Sequence, residues 1–374
     1  VRSRGLGDVY KRQLLSIAGC GGPPLKPWHT EQLDVEFTEE KTKEISGFND
    51  YLHLEDELFE QLNEQVYADV PTGPEHALER YSAGSAADPQ SRSPNWNRSF
   101  ELDADVPVGA VLLLHGLTDS PYTFRALAGT LNAQGFQVIG LRLPGHGTAP
   151  SGLASVGWED MAAAVPIAIR HLVDRVGDKP IHVIGYSTGA PLAVNYALDA
   201  LQDEGARVPD SLVLVSPAVS LHRAAALAGW KHTLSKVPGM GGLAWLQVLP
   251  EFDPYKYNSF PTNAAEQVFN VTSVVSGRLR ATARAGELTE FPRTLVFKST
   301  VDATVSTNAV VDNLLASLAP ERNELVLFDV NRSAVKSILL TEDPGPLTDR
   351  VMNAGDLPFA VTLVANENPQ SSQV

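Results

Sequence analysis

The chain alternates between short, wholly apolar runs and longer stretches in which apolar residues recur at helical spacing. Six runs have the length of a strand and are followed by turn residues, at 110–114, 138–141, 181–184, 212–215, 294–297 and 325–328. Strands that are apolar on both sides belong to a parallel sheet whose two faces are both covered by helices. Helical spacing fills the intervals, at 121–134, 158–176, 189–203 and 305–318. The pattern predicts an α/β fold with a doubly wound, mostly parallel sheet.

One interval between two predicted strands is too long for a regular alternation of strand and helix. Residues 218–290 hold helical patches with large apolar side chains, among them Trp230, Met240 and Trp245, but no clear strand. Ordinary connections between sheet strands are much shorter. We interpret the interval as a helical cap inserted over the functional site, with additional core helices as the alternative.

The chain divides into three parts. Residues 1–20 begin with a segment that looks like translated adapter sequence. The short apolar run that follows and ends at Cys20 resembles the end of a bacterial lipoprotein signal. Residues 21–97 are predicted to be a tether, rich in Gly and Pro over 21–47, followed by an amphipathic helix over 48–68. Residues 98–374 carry the sheet. We therefore expect lipidation of Cys20 and a lipid-anchored location in the bacterial envelope; a chance Ala-Gly-Cys in a disordered terminus is the alternative.

Composition narrows the possible partners. The net charge of -15 argues against nucleic acid and against an anionic membrane surface as electrostatic partners. A single cysteine forms no internal disulfide, and no Cys/His metal spacing is present. The sequence therefore predicts neither a metal nor an organic cofactor, and it leaves the oligomeric state open.

The most informative motif is Gly-Tyr-Ser-Thr-Gly at 185–189, between an apolar strand and a helical stretch. This spacing makes the chain reverse sharply, so that the serine oxygen is exposed at the carboxyl end of the sheet. The amino end of the following helix then faces developing negative charge. The motif predicts that Ser187 is a nucleophile.

A second motif, His-Gly-Leu-Thr-Asp-Ser-Pro at 115–121, follows the strand at 110–114. Acyl transfer needs two backbone N–H groups aimed at the oxyanion. Leu117 and Thr188 are the predicted donors, and His115 is predicted to hold the loop rather than to act as the base. The predicted substrate pocket is lined by His115, Gly116, Tyr186 and Trp245.

Together these motifs resemble the α/β-hydrolase superfamily, in particular its bacterial carboxylesterases and monoacylglycerol lipases. The resemblance covers about 98–330 and rests on four stretches, 113–118, 143–148, 158–160 and 185–189. It implies hydrolysis of a carboxylic ester, from a small ester or an acyl lipid, through an acyl-enzyme on Ser187. It also implies that His146 is structural. A peptidase, thioesterase or acyltransferase would use the same residues.

In this family the acid and then the histidine follow the serine along the chain. Asp302 follows the strand at 294–298 and matches the family's acid, which would orient the histidine. An N-cap for the next helix is the alternative role of Asp302, and Asp253 in the predicted cap is a weaker rival.

The histidine itself is missing from its expected place. Residues 303–374 contain none, and the nine histidines of the chain are at 29, 53, 76, 115, 146, 171, 182, 222 and 232. Three explanations stay open: the chain is truncated before the histidine, the base comes from elsewhere, for example His222, or the protein is a non-catalytic relative that binds a lipid or a partner. Without a base, a serine is a weak nucleophile, so this chain is predicted to be nearly inactive.

Overall fold

A sheet of eight strands organises the chain. The computed structural model describes residues 23–219, 241–302, 307–320, 322–330, 345–354 and 357–368. The strands are β1 (Phe100–Leu102), β2 (Gly109–Leu114), β3 (Phe136–Leu141), β4 (Ile181–Tyr186), β5 (Ser211–Val215), β8 (Arg293–Ser299), β9 (Glu324–Asp329) and β10 (Ala360–Ala365). Their order across the sheet is β1-β3-β2-β4-β5-β8-β9-β10. Strand β1 is antiparallel to β3, and the other pairs are parallel. All six predicted apolar runs are strands, and the sheet is mostly parallel, as predicted.

The helices cover both faces of this sheet. In the described residues they are α1 (Pro27–Thr30), α2 (Phe48–Gln65), α3 (Arg125–Ala133), α4 (Pro150–Ser155), α5 (Trp158–Val176), α6 (Gly189–Ala200), α7 (Thr262–Ala285), α8 (Thr307–Ala309) and α9 (Gly345–Asn353). A π-helical turn (Val310–Leu314) and a 3₁₀ turn (Leu315–Ser317) continue α8 within the predicted helix at 305–318. Within β2, Leu112 and Leu114 belong to the large core beneath α5 and α6. Val111 and Leu113 point to the other face and pack with Phe124, next to α3. This alternation explains why the strand is apolar at every position.

Residues 23–97, which precede the sheet, form a packed layer that we call the N-terminal layer. Trp28 and Phe37 are buried, at 3% and 1% exposure, so the predicted tether is wrong for residues 23–47. Its Gly and Pro content suggested flexibility, but the aromatic side chains between them supply enough apolar surface to fold. Helix α2 confirms the predicted amphipathic helix, with Tyr51 and Leu58 on its buried face.

The predicted cap is wrong in its second half. Helix α7 buries Val271, Val275 and Leu279 in the main core, so the alternative of additional core helices holds for 262–285. The rest of the interval that the structure describes, 241–261, includes a short antiparallel pair, β6 (Trp245–Gln247) and β7 (Phe260–Pro261).

Several predicted features lie outside the described residues. These are Cys20 with the apolar run before it, and Trp230, Met240 and His222 of the predicted cap. Within the described ranges, none of the helices combines the length and apolar character that crossing a membrane requires.

Candidate active site

Backbone strain is concentrated at one edge of the sheet. In the described part of the chain, Thr118, Ser187 and Ser216 are the non-glycine residues with positive φ, at 61°, 52° and 43°. They follow the carboxyl ends of β2, β4 and β5. Such conformations cost about 1–3 kcal/mol each and persist where the surrounding structure enforces them, often at functional sites. The strain therefore marks the edge at which the sequence predicted the site.

The turn at Ser187 has the geometry that the motif predicted. Ser187 is half-buried, its N–H donates to Val215 O at 2.9 Å, and its carbonyl accepts from Ala218 N–H at 3.1 Å. A Cβ on Gly185 would lie 2.6 Å from Ala190 Cα, and one on Gly189 would lie 2.1 Å from Leu114 O. Both glycines are therefore required for close approach, and the turn that carries Ser187 is packed tightly between β4 and α6.

The loop after β2 lies against this turn. A Cβ on Gly116 would lie 3.1 Å from the Tyr186 ring and 3.2 Å from Ser187 Cβ. The carbonyl of Thr118 accepts from Tyr257 N–H at 2.8 Å, which joins the loop to the 241–261 segment. Gly116 thus lies beside the serine, in the loop that the sequence predicted to bind the oxyanion, and Thr188 is buried at the start of α6.

His115 holds the loop after β2 through two hydrogen bonds of its ring. Leu143 N–H donates to its Nε2 at 3.1 Å, so Nδ1 carries the proton and donates to Gly116 O at 2.9 Å. The ring is fully buried, and this burial lowers its pKa well below the usual value. His115 is therefore neutral and holds the loop, as predicted. Its placement in the substrate pocket was wrong, because none of its surface is exposed.

Asp302 lies after β8, but its charged neighbour is a lysine. Lys298 Nζ lies 2.6 Å from Asp302 Oδ2, and the lysine side chain is wholly buried. Burial lowers the pKa of Lys298, and the Asp302 carboxylate opposes that change. Sequence reasoning missed Lys298, although a lysine inside an apolar strand was a visible signal, since buried lysines are normally paired. The start of the next helix, where Asp302 would be an N-cap, lies outside the described residues.

The loops after β8 and β9 meet at the same edge. Thr300 Oγ1 donates to Asp329 Oδ1 at 2.9 Å, and Thr300 N–H donates to Phe328 O at 3.0 Å. The residues that follow, 331–344, lie outside the described residues. The end of β9, after which the family resemblance places the histidine, is therefore adjacent to the loop that carries Asp302.

Tyr186, which precedes Ser187, is influenced by two carboxylates at this edge of the sheet. Burial raises its pKa, and the Asp119 and Asp302 carboxylates raise it further. Asp119 is buried at 8% exposure and accepts from Ser120 N–H at 2.9 Å. Its burial raises the pKa of its own carboxyl group. Both carboxylates thus lie within electrostatic range of the residue that precedes Ser187.

The other predicted residues have different surroundings. Asp253 accepts from Tyr255 N–H at 2.8 Å and from Lys256 N–H at 3.1 Å, so it stabilises a turn. Trp245 is half-buried, and its ring packs edge-on against His29 at 4.8 Å. Within the described ranges, no three His, Cys, Asp or Glu side chains are arranged so that they could hold a metal ion.

The parallel sheet with helices on both faces and a strained serine turn defines an α/β-hydrolase. Residues 105–329 match the model of the Hydrolase_4 family, described as serine aminopeptidase, S33. The chain belongs to this family.

Similar proteins include lipolytic enzymes. A thermostable monoacylglycerol lipase of Bacillus sp. (strain H-257) is 33% identical over 114 residues, which cover 30% of this chain. The chain spans 44% of the length of this curated relative. A solved structure from work on the metagenome-derived lipolytic enzymes LipS and LipT is 20% identical, with a TM-score of 0.49, over 62% of this chain and 87% of that one. The monoacylglycerol lipase of Paleococcus ferrophilus is 19% identical, with a TM-score of 0.46, over 62% and 88%.

Proposed function

We propose that the protein is a serine hydrolase of carboxylic esters in which Ser187 forms an acyl-enzyme. The observation that carries this proposal is the strained turn at Ser187, with Gly116 so near that a Cβ on it would lie 3.2 Å from Ser187 Cβ. Such a turn is costly and is held by two main-chain hydrogen bonds. Such strain is often retained at functional sites, and here it is combined with the glycine-flanked turn between β4 and α6.

In the proposed reaction, Ser187 Oγ attacks the ester carbonyl and a tetrahedral oxyanion forms. The N–H groups of Leu117 and Thr188 donate hydrogen bonds to this oxyanion, and such donors contribute about 3–4 kcal/mol each. The alcohol leaves, and water releases the acid from the acyl-enzyme. Asp302 is the proposed acid of the triad.

Esters are favoured over peptides by the apolar character of the 241–261 segment and by the named activity of the Bacillus relative, a monoacylglycerol lipase. Residues 303–374 contain no histidine. The hydrolysis that this chain performs should therefore be slow, since a site that lacks one triad member retains only about 10³–10⁴-fold acceleration over water.

The test compares p-nitrophenyl butyrate hydrolysis by the chain and by Ser187→Ala, with Ser216→Ala as the matched control. Ser216 is the same residue type at the same sheet edge, and it also has positive φ. The proposal expects a slow rate that Ser187→Ala abolishes and Ser216→Ala retains. Equal rates for the chain and Ser187→Ala would exclude Ser187 as the nucleophile.

Two further measurements separate the open explanations for the base. If His222 supplies it, His222→Gln lowers the rate as far as Ser187→Ala does. If the amide-cleaving activity named in the family description applies, an aminoacyl p-nitroanilide is hydrolysed faster than the ester. The Lys298–Asp302 ion pair favours a second candidate function, an inactive relative that binds a lipid or a partner. In that case, neither substrate is hydrolysed above the Ser187→Ala background.

A further inference from the structure

Lys298 is the buried lysine among the residues that the structure describes. It lies near the carboxyl end of β8, and its Nζ lies 2.6 Å from Asp302 Oδ2. Val296, the preceding residue on the same face of this strand, is buried and apolar. Apolar side chains of similar size often replace a buried ion pair with no loss of stability. A chemical role therefore explains an ammonium group at this position better than stability does.

Lys298 lies in the same row of the sheet edge as Ser187. Tyr186 pairs with Val215, and Val215 pairs with Phe297. Ser187 and Lys298 each follow this row by one residue, so two strand spacings, about 10 Å, separate their Cα atoms. A lysine side chain extends about 6 Å from its Cα, over bonds of about 1.5 Å each, and so covers most of this distance. The contact between a nucleophile and its base often tightens only when substrate is bound.

We propose that Lys298 is the general base for Ser187, in place of the histidine that residues 303–374 lack. The proposal rests on the ester hydrolysis proposed above. The neutral amine of Lys298 accepts the proton of Ser187 Oγ as this oxygen bonds to the ester carbonyl carbon, and the ammonium gives the proton to the leaving alcohol oxygen. In deacylation the amine takes a proton from the attacking water, and Ser187 Oγ recovers it as the acid leaves.

Asp302 has a defined part in this scheme. Its carboxylate stabilises the ammonium that forms on Lys298, as the acid of a triad stabilises an imidazolium. Burial lowers the pKa of Lys298, and the Asp302 carboxylate opposes this change. Asp302 also raises the pKa of Tyr186, so the ion pair lies within electrostatic range of the residue that precedes Ser187. Since the ammonium must lose its proton before it can act as a base, the rate should rise with pH through the pKa of Lys298.

The charged surroundings of Lys298 are simple within the described residues. Asp302 is the group whose charge affects its pKa. Lys298 pairs with Leu327 on β9, and Ser216 N–H donates to Phe297 O on the β5 side, so both neighbours across the sheet are uncharged. The carboxylate of Asp329, at the end of β9, accepts from Thr300 Oγ1. The ion pair with Asp302 should therefore dominate the titration of Lys298.

The test measures p-nitrophenyl butyrate hydrolysis between about pH 7 and 10, with the spontaneous rate subtracted. Lys298→Arg keeps a cation beside Asp302, but a guanidinium is not deprotonated in proteins and cannot act as the base. We expect kcat at about pH 9 to fall about tenfold or more and the rise with pH to disappear, with KM within about twofold of the parent. The matched control is Lys179→Arg, at an exposed lysine before the amino end of β4, which should keep both the rate and its rise.

Asp302→Asn separates a lysine base from a histidine base. Because the carboxylate raises the pKa of Lys298, its removal should shift the rise in rate toward lower pH. A histidine titrates near about pH 6.5. It would therefore give a rate that is level above about pH 8 and that Asp302→Asn lowers without a shift.

The outcomes distinguish the two proposals. Equal rates for the chain and Ser187→Ala would overturn both the acyl-enzyme and the lysine base. If Ser187→Ala abolishes hydrolysis while Lys298→Arg keeps the rate and its rise with pH, Ser187 is the nucleophile and Lys298 is not its base. A rate that stays level between about pH 7 and 10 would also exclude Lys298. If Lys298→Arg does not fold, Lys298→Met/Asp302→Asn removes both charges together, and the same loss is expected.

Discussion

The charge cluster around Arg142 permits a quantitative prediction about stability. Its guanidinium is 1% exposed and donates to Glu55 Oε2 at 3.0 Å, to Glu36 Oε2 and Oε1 at 3.0 and 2.8 Å, and to His146 O at 3.0 Å. Arg142→Leu removes all four hydrogen bonds. It also leaves the Glu55 and Glu36 carboxylates, at 2% and 14% exposure, without their cation.

Removing one partner of a buried ion pair costs about 3–5 kcal/mol, because the remaining charge is uncompensated. Folded domains are stable by only about 5–15 kcal/mol, so Arg142→Leu should lose a large fraction of its stability. The measurement is urea unfolding followed by tryptophan fluorescence, with the free energy of unfolding extrapolated to water. The control is Arg175→Leu. This arginine is 45% exposed and paired with Glu101 and Asp103, and such surface pairs contribute below about 1 kcal/mol.

The pH dependence of stability tests whether the uncompensated carboxylates cause the loss in Arg142→Leu. Burial already raises the pKa of Glu55, and Arg142 opposes this shift. Without Arg142 the folded-state pKa rises further above the unfolded value, so the folded state holds its proton more tightly. Arg142→Leu should therefore regain stability as the pH falls toward the raised pKa. A loss no larger than that of Arg175→Leu would refute the reasoning. So would a triple variant with Glu36→Gln and Glu55→Gln that is as unstable as Arg142→Leu.

Three further substitutions probe two glycines and one buried histidine. Gly189→Ala should cost more than about 2 kcal/mol because its Cβ would lie 2.1 Å from Leu114 O, whereas Gly277→Ala in α7, with nothing within 4 Å, should gain about 0.5–1 kcal/mol. Urea midpoints check both, and equal effects would contradict the packing argument. Burial lowers the pKa of His29 and His146 to about 4. The unfolded chain therefore takes up protons first, and each histidine lowers stability by about 1.4 kcal/mol per pH unit between about pH 6.5 and 4. His146→Gln should make the urea midpoint fall less between about pH 7 and 5, and an unchanged slope would show that His146 is not responsible.

Local patterns predicted the strands of the sheet and the turn at Ser187, because each of these features depends on residues that are neighbours in sequence. The apolar runs gave six of the eight described strands of the main sheet to within two residues, and the motif at 185–189 placed Ser187 at the observed turn. Amphipathic spacing does not say which surface a helix covers, so α7 was assigned to the cap although it packs in the core. The partners of Arg142 are 106 and 87 positions away in sequence, and no local pattern reports such pairs. The pairing of Lys298 with Asp302 spans only four positions, so the lysine inside an apolar strand was a local signal for it.

The N-terminal layer takes part in holding the candidate site in its strained form. Glu36 accepts from Gly145 N–H at 2.8 Å and binds Arg142, which fixes the loop after β3. In that loop, Leu143 N–H donates to His115, and His115 donates to Gly116 O beside Ser187. Strained turns persist only where their surroundings enforce them. Glu36 precedes the residues that match the family, 105–329. The serine turn of this protein is therefore braced through a connection that the family-defining region does not contain.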